Sequence, residues 1–260
     1  MKLGLENKTA LVLGASRGLG AAIAAGLAQE GTTVFAAARS IDKIEAWANG
    51  LPQGAGNVTP TQLDLRDLTS IDDLCDRLLA KGGVDILINN TGGPPPATAL
   101  DASRTDWIAQ FETMAANIFH LTGRLLPKMQ TKKWGRIITL TSSGVEQPIP
   151  RLALSNGIRS AIVGWSKTLA YEVAADGVTV NVLLPGRIHT QRVDELDASA
   201  AKRSERSVAD VAAASAASIP VGRYGRPEEF ADVAVFLASE RASYVTGSKV
   251  RVDGGSIHGI

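Results

Sequence analysis

Residues 9–20 read Thr-Ala-Leu-Val-Leu-Gly-Ala-Ser-Arg-Gly-Leu-Gly, and a helical pattern follows over 21–30. An apolar, β-rich run ends at Gly14, and Gly18 and Gly20 come just before the helix. A strand that turns through glycines into a helix aims backbone N–H groups and a helix N-terminus at one point, which suits a pyrophosphate. Glycines alone also mark ordinary tight turns. The strand before and the helix after supply the context that the dinucleotide reading requires. The spacing is G-x-x-x-G-x-G rather than G-x-G-x-x-G.

Working outward from this stretch, strand-like runs alternate with helical patterns over most of the chain. Candidate strands lie at 10–13, 33–37, 58–63, 86–89, 136–140, 179–184 and 249–252. Helical patterns between them include 71–80, 107–129, 157–175 and 227–237. Such alternation predicts a Rossmann-like, doubly wound parallel sheet of about seven strands with helices on both faces. Ligand-binding residues then belong beyond the C-terminal strand ends. No linker, repeat or low-complexity tract divides the chain, so residues 1–260 are read as one domain. The segment 194–217 departs from the alternation. It is rich in Ala, Ser and charge with few apolar anchors, and reads either as part of a mobile substrate lid over 190–220 or as a solvated helix pair.

Composition narrows the function. The 260 residues carry a formal charge of +1, which offers no broad basic field to nucleic acid or to an acidic membrane. The single cysteine, Cys75, excludes an intrachain disulfide and reads as a small buried residue on a helix. No apolar stretch approaches membrane-spanning length, and no signal-peptide form opens the chain. The expectation is a cytoplasmic protein with a small-molecule substrate, no metal centre and no membrane or nucleic-acid partner.

Further groups fall at the predicted strand ends. Arg39 ends the second strand, where an adenosine ribose is read. A basic residue there accommodates a 2′-phosphate, whereas an acidic one favours the 2′-hydroxyl. Arg17 in the glycine loop adds a second charge, so the expected cofactor is NADP(H); the plain alternative is two solvated arginines. Asp64 follows the third strand and is placed to accept from an adenine amino group. Asn89-Asn90-Thr91-Gly92-Gly93 follows the fourth strand, where amides and glycines can hold the sheet edge and a cofactor.

Taken together, these motifs resemble the short-chain dehydrogenase/reductase family, particularly its β-ketoacyl-carrier-protein-reductase-like members. The likeness covers nearly the whole chain. The run from Gly14 to Gly20 matches the family's glycine loop, and Asn89-Asn90-Thr91-Gly92 its N-N-A-G. Asn117 matches the helix asparagine that supports the active site, and Ser142, within Thr141-Ser142-Ser143, the catalytic serine. Pro185-Gly186-Arg187-Ile188-His189-Thr190 resembles the loop that packs on nicotinamide. Arg226-Pro227-Glu228-Glu229 and Val252-Asp253-Gly254-Gly255 match C-terminal landmarks. The resemblance implies that Gly14, Ser16, Arg17, Gly18, Leu19, Gly20, Arg39, Asp64, Leu65, Asn90, Gly92, Arg159, Pro185, Gly186, Ile188 and Thr190 hold the cofactor. It also implies a homotetramer built on the helices at 107–129 and 157–175.

One motif departs from the family pattern. Counting from Ser142, the register of its Y-x-x-x-K lands on Ser155 and Arg159. A phenol with pKa near 10 can be lowered by a neighbouring ammonium, whereas a serine hydroxyl donates a hydrogen bond but is a poor general acid. Positions 155 and 159 share a helix face, so Arg159 can hold ribose hydroxyls and positive charge without relaying a proton. The catalytic set expected from the resemblance is therefore Ser142, Ser155, Arg159 and Asn117. Tyr171 reads as core packing. Tyr224 and Tyr244 could approach the pocket only through the fold. His189 is a candidate proton source, because imidazole titrates near neutrality. Three readings follow: an NADP(H)-dependent oxidoreductase with a non-standard proton route, a catalytically inactive NADP(H)-binding sensor or structural subunit, and a retooled pocket for a non-redox step.

Overall fold

A computed structural model describes residues 2–259. Within them seven strands form one parallel sheet in the order β3-β2-β1-β4-β5-β6-β7. The strands are β1 (Thr9–Leu13), β2 (Thr33–Ala38), β3 (Val58–Gln62), β4 (Ile86–Asn89), β5 (Gly135–Leu140), β6 (Val178–Pro185) and β7 (Lys249–Val252). The expected doubly wound sheet is therefore present, and the strand order reverses between β1 and β4, where such folds open a crevice for ligands.

Alternation along β1 explains its all-apolar sequence. Ala10 and Val12 face one buried layer, Leu11 and Leu13 the other, because successive strand side chains point to opposite faces. In the sheet plane Val12 lies between Ala36 of β2 and Ile88 of β4. The first layer packs under α1 (Gly18–Gln29), together with Phe230 and Ala234 of a helix near the C-terminus. The second packs under α3 (Leu68–Ala80), which follows α2 (Ile41–Ala48), and two longer helices described next. Cys75 is fully buried on α3, as its composition suggested.

The helical pattern at 107–129 is not one α-helix. It divides into α4 (Arg104–Phe111), a π-helical turn over Glu112–Ala116, and α5 (Asn117–Lys132). Such a π insertion is common at functional sites, and here it sets Asn117 at the first position of α5. Next, α6 (Ala153–Val173) begins four residues before the expected 157 and takes Ser155 into its first turn. Its buried stripe runs through Ser155, Ile158, Arg159, Ile162, Ser166, Ala170 and Val173. Tyr171 lies one residue beyond this stripe and is 90% exposed, which corrects its reading as a core residue; a step of about 100° turns it out of the packed face.

The segment 194–217 is a helix pair, α7 (Gln191–Ser204) and α8 (Val208–Ala217). In α8 no residue is buried, and α7 buries Val193, Asp197 and Ala201. The last helix, α9 (Pro227–Ala238), supplies Phe230 and Ala234 to the first layer. No described helix is long and apolar enough to cross a membrane.

Candidate active site

The crevice at the switch point is shaped first by glycine. Gly14 and Gly18 have φ of +62° and +60°, a region that side chains with a Cβ rarely enter. A Cβ at Gly20 would overlap the carbonyl oxygen of Gly14. Asn90, just beyond β4, donates from Nδ2 to the carbonyls of Leu13 (3.2 Å) and Gly14 (3.4 Å). From α2, Trp47 donates its indole N–H to the carbonyl of Ala15 at 3.0 Å. The loop is thus clamped from both sides. Arg17 caps α1 in extended conformation without a side-chain hydrogen bond to the helix, so the first N–H groups of α1 face outward uncapped. Thr190 precedes α7, also without a side-chain cap, and its methyl lies 3.5 Å from where a Cβ on Gly18 would stand. Two helix N-termini therefore meet across one gap.

The side of the crevice beyond β2 and β3 is more polar. Arg39 is exposed at the end of β2. Asp64, beyond β3, is held by Arg66, whose Nη2 donates at 2.6 Å. That hydrogen bond, with the nearby charges of Arg66 and Arg39, pulls the Asp64 carboxyl down to about 2. Beside it, Asn117 donates from Nδ2 to the carbonyl of Leu65 at 2.8 Å, tying the π-helical turn to this loop. Asn89 is a structural residue: its side-chain amide donates to Thr122 and Thr139 inside the core.

At the other end, Ser142 follows β5, and its Oγ accepts from the N–H of Gly144 at 3.0 Å. A Cβ on Gly144 would collide with the side chain of Asn156, the neighbour of Ser155. Arg159 donates from Nη1 to the carbonyl of Leu140 at 3.0 Å and from Nε to Ser155 Oγ at 3.3 Å. These contacts join the end of β5 to the first turns of α6 and bring Ser142, Ser155 and Arg159 into one region. Ser155 and Arg159 are 8% and 7% exposed. Burial, followed by the charge of Arg192, pushes the Arg159 guanidinium down to about 10.

His189 does not join that group. Its ring pairs with Asp194 of α7 at 3.3 Å. It lines a cleft of about 500 Å³ between the loop after β6 and the α7–α8 pair, with Asp197, Tyr224 and Arg226; Ser142, Ser155 and Arg159 do not line this cleft. Nor does a tyrosine reach Ser155. Tyr224 donates its phenol to buried Asp197 at 2.7 Å, and burial together with that bond pushes the phenol up. Tyr244 is fully exposed.

Three elements escaped sequence reasoning. The clamp by Trp47 had no motif. Arg192, which reaches the carbonyl of Pro94, lies just before the segment 194–217 and within the lid range 190–220, where no motif marked it. The third is Asp197, which binds Tyr224 and also takes Arg187 Nη1 at 2.6 Å; an acidic residue among the sparse apolar anchors of 194–217 was its only signal.

Comparison with known proteins agrees with this fold. The family model described as enoyl-(acyl carrier protein) reductase matches residues 14–256. The 3-oxoacyl-(acyl-carrier-protein) reductase FabG of Thermotoga maritima is 32% identical over 257 residues, 97% of this chain and 99% of that protein. FabG of Escherichia coli is 35% identical over 254 residues, 97% and 98% respectively. The L-sorbose reductase of Gluconobacter frateurii, solved with NADPH and L-sorbose, superposes with a TM-score of 0.93 at 32% identity, covering all of both chains. On this fold, this ordered set of sites and these relatives, the chain belongs to the short-chain dehydrogenase/reductase family and is FabG-like within it.

Proposed function

We propose that the chain is an NADP(H)-binding oxidoreductase that acts on a carbonyl/alcohol substrate through a proton route without tyrosine. The observation that carries this reading is the coexistence of an unobstructed glycine cradle with Ser142, Ser155 and Arg159 at the joined ends of β5 and α6. The cradle fits a dinucleotide, because positions 14, 18 and 20 exclude or strain any Cβ and the start of α1 is uncapped. Gly14, Ser16, Gly18, Leu19 and Gly20 would hold the pyrophosphate, Arg17 and Arg39 a 2′-phosphate, and Asp64 and Leu65 the adenine. Asn90, Gly92, Arg159, Pro185, Gly186, Ile188 and Thr190 would hold the nicotinamide half. The NADPH in the similar sorbose reductase supports the choice of cofactor. When bound, NADP(H) supplies or accepts the hydride.

The chain's own part follows from its hydrogen bonds. Ser155 Oγ already accepts from Arg159, so its own O–H is free to donate to a substrate oxygen, as is that of Ser142. Neither hydroxyl is an effective acid, and Arg159 keeps its proton. The proton then comes from solvent across the serine hydroxyls, and Arg159 supplies fixed positive charge near the developing oxyanion. We further read α7 and α8, within 190–220, as a substrate lid, since so little of them is buried. Exposed Ile108 and Phe111 on α4 and Tyr171 on α6 support a homotetramer formed through these helices. A monomer by light scattering at micromolar concentration would remove that part of the reading.

The competing reading is an inactive NADP(H)-binding sensor. It is favoured by one observation: none of the three tyrosines bonds to Ser142, Ser155 or Arg159. NADPH oxidation against a carbonyl panel separates the two. The wild type is expected to be slow on simple ketones and β-ketoacyl substrates. The pair Ser155→Tyr with Arg159→Lys should raise turnover towards the ~10²–10⁴-fold worth of a positioned acid, and Ser155→Tyr alone should raise it less. Fast wild-type turnover that Ser155→Ala leaves intact would overturn the proton route. Tight NADPH binding with no turnover on any substrate would favour the sensor.

A further inference from the structure

Two arginines are assigned to the 2′-phosphate of the cofactor, and the structure holds them differently. Arg39, at the end of β2, is exposed and has no ion-pair partner among the described residues. Arg17 is already committed to α7. Its Nη1 donates to Oε1 of Gln191 and lies 3.7 Å from Oε1 of Glu195. Gln191 and Glu195 are four residues apart on one helix and therefore share a face. That face is turned to the glycine loop, since Thr190, just before α7, lies 3.5 Å from where a Cβ on Gly18 would stand. The neighbouring acids of α7 are turned elsewhere: Asp194 pairs with His189, and Asp197 with Arg187 and Tyr224. Glu195 also meets Arg192 of its own helix, at 3.6 Å through Oε2, so it keeps a partner when Arg17 leaves. A phosphate received by Arg17 would stand beside the Glu195 carboxylate, and like charges at that range repel. The two partners of this guanidinium thus exclude each other.

We propose that Glu195, with Gln191, competes with the 2′-phosphate of NADP(H) for Arg17, which makes Glu195 a cofactor-selectivity residue carried by the α7–α8 segment. This rests on the reading of the cradle as an NADP(H) site. Coupling of this kind is reciprocal. The hold of α7 on Arg17 weakens NADP(H), and NADP(H) weakens the hold on α7 by the same factor. NAD(H), which has no 2′-phosphate, leaves the tie between α7 and the glycine loop in place. Both side chains of the ion pair are about half exposed, which sets the scale of the coupling at about two- to fivefold.

The test uses the full chain and two probes of the adenosine half, 2′,5′-ADP and 5′-AMP, which differ only in the 2′-phosphate. Calorimetry gives their Kd values. Glu195→Gln should tighten 2′,5′-ADP about two- to fivefold and leave 5′-AMP unchanged. In an Arg17→Ala background the same substitution should change neither, because the gain runs through the guanidinium. Asp194→Asn, which removes a carboxylate from another face of α7, should also change neither, and this separates the effect from a general loss of negative charge. Hydrogen exchange over 191–204 reads the other side of the coupling. Saturating 2′,5′-ADP should speed exchange there relative to saturating 5′-AMP in the wild type, and not in Arg17→Ala. Tightening of 2′,5′-ADP that persists without Arg17, or equal exchange with the two probes, overturns the proposal. Normal binding of 2′,5′-ADP that is indifferent to Glu195→Gln overturns it too and leaves the NADP(H) reading in place. Binding of neither probe by the wild type removes that reading, and the proposal with it.

Discussion

The glycine cradle and the α7–α8 pair face each other across the same gap, and they are held in opposite ways. The cradle is made of backbone: left-handed glycines, carbonyls clamped by Asn90 and Trp47, and a helix start free of side-chain caps. Beneath it lies a layer in which Val12, Ile23 and Leu27 are fully buried. The α7–α8 pair has almost no such layer. It is pinned by side chains: Asp197 to Arg187 and Tyr224, and Gln191 and Glu195 to Arg17. Backbone geometry backed by apolar burial is rigid, whereas a few polar pairs over a solvated helix can exchange partners. The difference teaches which side of the gap is preorganised and which side can respond to what binds. Arg17 is the hinge of the comparison, because it belongs to the cradle in sequence but pairs with α7 in space.

The largest expected effect comes from filling the cradle. Gly20→Val places atoms where the Gly14 carbonyl stands, so NADPH affinity measured by fluorescence quenching should fall by more than ~100-fold. Retained affinity would mean that the cradle is not the cofactor's seat.

Next, Arg39→Ala should weaken NADPH by roughly 10–100-fold and leave NADH nearly unchanged, since the lost contact is a charge-assisted one to the 2′-phosphate alone. Arg17→Ala sharpens the comparison. If Arg17 leaves α7 for the phosphate, this variant also loses NADPH preference and, in addition, becomes more open to proteolysis within 191–217. An unchanged cofactor ratio would assign Arg17 to α7 only.

On the other side of the gap, Asp197→Ala strands Arg187 and Tyr224 and should cost about 2 kcal/mol, lowering Tm by roughly 4–8 °C. Limited proteolysis should begin in the α7–α8 pair, with NADPH binding close to wild type. Cleavage beginning near the cradle instead would break the contrast.

The smallest effect is a pH dependence. Arg223 first, then the N–H of Arg226, hold the Glu229 carboxyl down to about 2 from 4.5. A folded-state pKa below the unfolded one adds stability above about 4.5, and that stability is lost as pH falls towards 2. The Tm gap between wild type and Glu229→Gln should therefore be constant at neutral pH and close between about pH 4.5 and 2. A gap independent of pH would show that the pair does not anchor the loop carrying Tyr224.

Much of this protein was legible in its residues because the relevant physics is local. The five inner strands follow from largely apolar runs buried on both faces, the edge strands β3 and β7 are only partly buried, and all seven match the expected ranges to within a residue or two. Glycines at 14 and 18 announce a conformation that no other residue adopts comfortably, and Gly20 a backbone approach too close for a Cβ, so the cradle could be read without coordinates. The identities of Ser142, Ser155 and Arg159 and their common helix face were equally available, since helical spacing alone puts positions 155 and 159 together. What the chain could not disclose depends on contacts between distant residues. The π-helical turn before Asn117 has no propensity signature. Tyr171 looked like core until packing chose the stripe through Ala170. The diversion of His189 to Asp194, the trapping of Tyr224 by Asp197, and the reach of Arg192 to the carbonyl of Pro94 join elements tens of residues apart or place a loop against a helix. Side-chain pairing of that kind is selected by the assembled tertiary structure, because its energy exists only once the sheet has brought the loops beyond β4, β5 and β6 to one edge.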